Sequence, residues 1–403
     1  MKYDFTTLIE RRGKDAIAYD GIGSHIWGIA PGAAMPGFDE IPMWVADMNF
    51  ATCPAVTKAL TARIQHPLYG YFLPSEEYYQ RIIDWQSERH GWKNLSREAI
   101  GYENGVHGGV ISTIEVLTEP GESILVHSPV YSGFIGDILE TGRKLVLSPL
   151  QRDEQGIWRM DFTDMEEKIK AKKPHLAIFC SPHNPTGRVW ERWEIEKFME
   201  LCRNYQITVI SDEIWSDIIF SGHQHIPTAM ISEDAALRTV TFYAPSKTFN
   251  LAGLIGSYHI ILNPLLRQRI TRHGQMTHYN EMNVLSMHAL IGAYSQEGRE
   301  WTAELLQVLE ENCRYAANVL HHFPGCSVAM PEGTYMLFLD CSGYMQAHNL
   351  TLDDVLKRGW DVGVAWQDGR KCAWKNAIRL NVALPMSRLQ EAMRRLQKYV
   401  FTE

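Results

Sequence analysis

From Ser123 to Leu262 the chain alternates short apolar runs with amphipathic stretches, and this rhythm restricts the fold more than any other feature. The runs read "SILVHSP", "KLVLSPL", "HLAIFCSP", "ITVISDE", "TVTFYAPS" and "GSYHIIL". They are strand-length, and several are bounded by Ser, Pro, Asp or Gly. Between two of them, "ERWEIEKFMELCRNY" puts Trp193, Ile195, Phe198, Leu201 and Cys202 on an apolar face at near-helical spacing. Strand, helix, strand in this order predicts an α/β protein with a largely parallel sheet covered on both faces.

After about residue 290 the texture changes. "REWTAELLQVLEENCRYAANVLHHF" repeats Trp301, Leu305, Leu309 and Cys313 every fourth position, the mark of a long amphipathic helix, and Gly325 after Phe323-Pro324 marks its end. Strand-like "TYMLFLD" and "AIRLNVA" and helical "SRLQEAMRRLQKYV" follow. We expect residues 46–290 to form a large domain, 291–403 a smaller α+β domain, and 1–45 a segment packed with the smaller one. A chain of 403 residues is long enough for this and too long for a small binding module.

With 21% charged residues and a net charge of -8, no basic field is available for nucleic acid. The seven cysteines are scattered and never spaced C-x-x-C, which suggests neither a disulfide framework nor a zinc site and fits a reducing, cytoplasmic setting. The charged start "MKYDFTTLIERRGKD" lacks a signal-peptide core, and no apolar run reaches membrane-spanning length, so no membrane partner is expected.

In a parallel α/β sheet, chemistry gathers where strands end at their carboxyl termini. Four predicted strands end here in Tyr131, Asn184, Asp212 and Lys247. Singly, each has a plain explanation, such as turn former, helix cap, core ring or solvated amine. Together they supply what pyridoxal 5′-phosphate needs: an amine, a carboxylate for the pyridine nitrogen and an aromatic face. The glycines of "GYENGVHGGV", Gly105, Gly108 and Gly109, open a helix whose free N–H groups suit a phosphate, although tight helix packing would also explain them.

At these residues the chain resembles the fold-type I pyridoxal-phosphate enzymes of the class I/II aminotransferase superfamily, and within them the MalY/PatB branch of cystathionine β-lyases. "IPMWVADMNF", "HPLYGYFLP", "HSPVYSGF", "CSPHNPTGRVW", "SDEIWSDI", "APSKTFNLAGL", "EGTYMLFLD" and "AIRLNVALP" carry the resemblance in the family's order. It implies a large domain around a mostly parallel seven-stranded sheet. It makes Lys247 the Schiff-base lysine, Asp212 the partner of the pyridine nitrogen, Asn184 a donor to the ring O3′ and Tyr131 the stacked ring. It puts the N–H groups of Val106 and His107, with Ser246, on the phosphate, and implies that Tyr71 reaches the neighbouring subunit's phosphate in a homodimer with shared active sites. Arg379 would bind the substrate α-carboxylate, although it could otherwise be a surface ion pair. Ala46 and Trp215 stand on the substrate side.

The reaction implied is α,β-elimination of an L-amino acid, L-cystathionine or a related cysteine S-conjugate, to pyruvate, ammonia and a thiol. Transamination needs the same residues and is the alternative. A regulatory binding role on a retained fold is the second. Three positions depart from the branch: Trp215 replaces the histidine of D-E-I-H, Asn49 replaces the second aspartate of A-D-M-D-F, and His107 stands where an apolar residue is more common. His107 reads most simply as a wall residue whose backbone matters.

Overall fold

The structure, a computed structural model, describes residues 1–402. Its centre is a seven-stranded sheet built from β1 (Ile100–Glu103), β2 (Ser123–Ser128), β3 (Lys144–Pro149), β4 (Leu176–Cys180), β5 (Thr208–Asp212), β6 (Thr239–Tyr243) and β7 (Ser257–Ile260). The spatial order is β1-β7-β6-β5-β4-β2-β3, with β7 antiparallel to both neighbours and the other pairings parallel. Every residue of β4 and β6 is buried, which explains why the runs read as continuous apolar stretches. Ile178 and Ile210 point to one face, against Val110, Ile114, Phe134 and Ile138 of helices α1 (Val106–Leu117) and α2 (Ser132–Glu140). Ala177, Phe179 and Val209 point to the other, against α3 (Arg192–Asn204).

Helix α3 corrects one expectation. Ile195, Phe198 and Cys202 are buried, but Trp193 is 47% exposed and its indole N–H donates to Glu191 Oε2 at 2.7 Å. At 100° per residue Trp193 lies about 200° from Ile195, away from the stripe that meets the sheet.

The later part of the chain builds α4 (Gln296–His321) and a four-stranded sheet of β8 (Ser327–Val328), β9 (Met336–Asp340), β10 (Gln367–Asp368) and β11 (Ala377–Asn381). Trp301, Leu305, Leu309 and Cys313 of α4 are all buried, and the Ser295 hydroxyl caps its first turn. The chain's first residues lie along α4: the N–H groups of Lys2 and Tyr3 donate to Glu304, and the Phe5 ring packs between Phe50 and Trp301. Ile41–Pro42 pairs in parallel with Val364–Ala365, which brings the segment around Ala46 between the two sheets. No helix among the described residues is long and apolar enough to cross a membrane.

Candidate active site

The register of the large sheet sets the site. Cys180 pairs with Asp212 and Asp212 with Phe242, so β4, β5 and β6 end level with one another. Asn184, Asp212 and Lys247 therefore emerge side by side, and Tyr131 follows the end of β2 on the same edge.

Asp212 is buried (4% exposed), and its Oδ1 accepts the Ile214 N–H at 3.1 Å. Desolvation pushes its carboxyl up to about 6, against the pull of that N–H and of the His107 and Lys247 charges. Lys247 Nζ donates to the Ala46 carbonyl at 3.0 Å and stands 5.7 Å from the centre of the Trp215 ring. Desolvation holds the amine below the ordinary lysine range, with Tyr131 and Asp47 opposing the shift. Trp215 is buried and meets Tyr335 edge-to-face at 4.6 Å, while the Tyr335 hydroxyl donates to the same Ala46 carbonyl at 3.1 Å.

Arg379 lies in the middle of β11, only 3% exposed, which excludes a surface ion pair. Its Nη1 donates to Asn184 Oδ1 at 3.2 Å and its Nη2 to the Trp44 carbonyl at 3.0 Å. Among the described residues its buried Nε has no partner. A buried guanidinium whose partners are an amide and a carbonyl is poised for an incoming carboxylate.

Gly105 stands at the cap position before helix α1; its φ of +83° suits glycine, and its missing side chain leaves the first-turn N–H groups of Val106 and His107 uncapped. Gly108 and Gly109 serve packing instead. A Cβ would stand 1.9 Å from the Tyr279 hydroxyl at one and 2.4 Å from the Phe242 ring at the other. Ser246 sits in the turn leading to Lys247, its carbonyl accepting the Leu251 N–H at 3.1 Å.

The family model for aminotransferase class I and II matches residues 40–396. The chain belongs to that family. Over 397 residues it is 34% identical to cystathionine β-lyase PatB of Bacillus subtilis, covering 98% of this chain and 99% of the relative. Protein MalY of Escherichia coli is 28% identical over 402 residues, with 97% of each chain covered. Among solved structures, cystalysin from Treponema denticola, which contains a pyridoxal 5′-phosphate cofactor, superposes with a TM-score of 0.89 at 30% identity over 98% of each chain.

Within this family member, one chain brings together Tyr131, Asn184, Asp212, Trp215, Lys247, Arg379 and Ala46, with Val106, His107 and Ser246 at the adjoining helix and turn. It does not bring in Tyr71, which is fully exposed. The plain reading of His107 needs correction: its side chain is not idle, for Nε2 lies 2.9 Å from the Tyr131 hydroxyl and Nδ1 3.0 Å from Asp137 Oδ2. Asp137 and Tyr335 are the residues sequence reasoning missed. The signal for Asp137 was an acid flanked by apolar residues and glycine in "GFIGDIL"; for Tyr335 it was its place in "EGTYMLFLD".

Proposed function

We propose that this chain is a pyridoxal-phosphate-dependent carbon–sulfur β-lyase that eliminates the β-thiol substituent of L-cystathionine or a related cysteine S-conjugate. One observation carries the cofactor. A buried carboxylate without a cationic partner and a desolvated amine share a strand edge with a glycine-capped helix start. That donor set fits the cofactor's pyridine nitrogen, aldehyde and phosphate, and the kinship with PatB supports elimination as the reaction.

When bound, pyridoxal phosphate supplies an electron sink for negative charge at the substrate Cα. Asp212 would hold its carboxylate toward the pyridine nitrogen, and Asn184 would donate to the ring hydroxyl. Tyr131 provides the stacking face. The first-turn N–H groups of Val106 and His107, with Ser246, would hold the phosphate. Arg379 orients the substrate through its α-carboxylate, and Lys247, its basicity reduced by desolvation, takes the Cα proton as general base. Loss of that proton expels the β-thiolate, and the three-carbon remainder hydrolyses to pyruvate and ammonia. Trp215, next to Lys247, and Ala46 shape the space for the substituent, so apolar thioethers are favoured over strongly polar groups.

The active unit in this proposal is a homodimer in which Tyr71 serves the neighbouring site. Support comes from Leu68, Tyr69, Tyr71 and Leu73, large apolar side chains that are all exposed within one short segment. Seven free cysteines support a reducing, cytoplasmic setting.

The deciding experiment incubates purified protein with L-cystathionine, L-cysteine and pairs of L-amino acids with 2-oxo acids, measuring pyruvate, thiol and new amino acid together. Pyruvate and thiol in equal amounts are expected, abolished in Lys247→Ala. The family match equally suits an aminotransferase. Stoichiometric amino exchange without pyruvate from any thioether would replace the lyase with that reading.

A further inference from the structure

Tyr131 and Asp137 lie on one helical segment, at the cap and in the body of α2, and together they grip the His107 ring on α1. Tyr131 Oη is 2.9 Å from His107 Nε2, and the two Asp137 oxygens are 3.1 and 3.0 Å from Nδ1. Asp137 is itself buried, while the His107 side chain remains 45% exposed. The helix is shaped around this ring. A Cβ on Gly133 would fall 2.0 Å from His107 Cε1 and 2.7 Å from Tyr131 Cε1. Phe134 closes the cluster, edge-on to Tyr131 at 5.4 Å and 6.4 Å from His107. A histidine contributing only its backbone would need neither the missing side chain at Gly133 nor the buried acid.

We propose that the His107 imidazolium, clamped by Asp137, is a positioning group that fixes the Tyr131 ring in the site through the hydrogen bond to its phenol oxygen. The ring nitrogens donate in opposite directions, Nδ1–H to the carboxylate and Nε2–H to the phenol oxygen. Burial pulls the imidazole down, but the hydrogen bond to Asp137 and the proximity of Tyr131 outweigh it and raise it to about 10. Burial pushes the Tyr131 phenol up, and the charges of His107 and Lys247, helped by Arg379, overcome this and lower it. Asp212, the remaining titratable group of the cluster, also feels the His107 and Lys247 charges. His107 and Tyr131 therefore titrate as a coupled pair rather than as two independent side chains.

The role in the reaction rests on the proposed placement of Tyr131 against the cofactor, but the phenol's acidity can be read without turnover. Tyrosinate absorbance near 295 nm is followed against pH in the full-length chain, and subtraction of the Tyr131→Phe titration isolates this residue. We expect Tyr131 to ionise below the remaining tyrosines. In His107→Val, which carries an apolar side chain in place of the ring, its acidity constant should fall by on the order of tenfold or more. The isosteric Asp137→Asn should move it in the same direction and serves if the valine variant does not fold. His107→Gln, which can hydrogen-bond the phenol without a charge, should resemble His107→Val. An unchanged Tyr131 titration in His107→Val or Asp137→Asn overturns the proposal, and so does a wild-type titration in His107→Gln. A low-titrating Tyr131 in a protein that forms no pyruvate would leave this inference standing and remove the lyase reading; the opposite pair of results would do the reverse.

Discussion

Asp212 shows how a residue can cost stability for the sake of chemistry. Its folded-state pKa, about 6, is raised above the ordinary 3.8 by burial. Between those values the folded chain keeps a proton that the unfolded chain has released, so stability falls as pH rises through that window. Above pH 6 the loss is about 2 to 3 kcal/mol. Asp212→Asn should therefore raise the melting temperature of the cofactor-free chain at pH 7.5, and this gain should vanish near pH 4. The same change should lower kcat by on the order of 10²-fold or more, since the negative charge proposed to face the pyridine nitrogen is gone. A variant melting like wild type at pH 7.5, or turning over at full rate with chemistry limiting, contradicts these expectations. Lys247 and Asp212 were legible in the sequence because a charged residue ending an apolar strand is a local signal. The acidity of Asp212 was not, since desolvation depends on what the rest of the fold places around it.

The first turn of α1 separates glycines that the sequence presents as equals. Gly105 is there for its backbone angle, and Gly108 and Gly109 for lack of space. Gly109→Ala drives a methyl into the Phe242 ring of β6 and should destabilise the protein by about 1–3 kcal/mol, read as a lower midpoint in urea. Gly253, around which a Cβ would meet nothing within 4 Å, supplies the control, and its alanine variant should unfold close to wild type. Equal midpoints for the two would mean that α1 can shift away from the sheet at little cost. Element identity itself was largely legible, because strands buried on both faces and the long stripe of α4 write their periodicity into the chain. Trp193 escaped that logic: a large apolar residue within the helix sat outside the stripe.

At the scale of the molecule, the exposed segment from Leu68 to Leu73 is the feature a single chain leaves unexplained. If it seats a second copy, Leu73→Glu should shift sedimentation from dimer to monomer and release cofactor, whereas Tyr71→Phe should keep the dimer and weaken cofactor retention alone. A fully active monomer in the wild type would exclude shared sites. The sequence by itself determined the α/β layering, the residues at the strand ends and the kinship, since hydrophobic periodicity and motif order are properties of neighbouring positions. Only the tertiary structure decided that Arg379 from the small sheet meets Asn184 of the large one, that His107 is held between Tyr131 and Asp137, and that Trp215 lies next to Lys247. Those are meetings of segments far apart along the chain. Which side chains meet depends on how sheets and helices pack, and no local pattern encodes that.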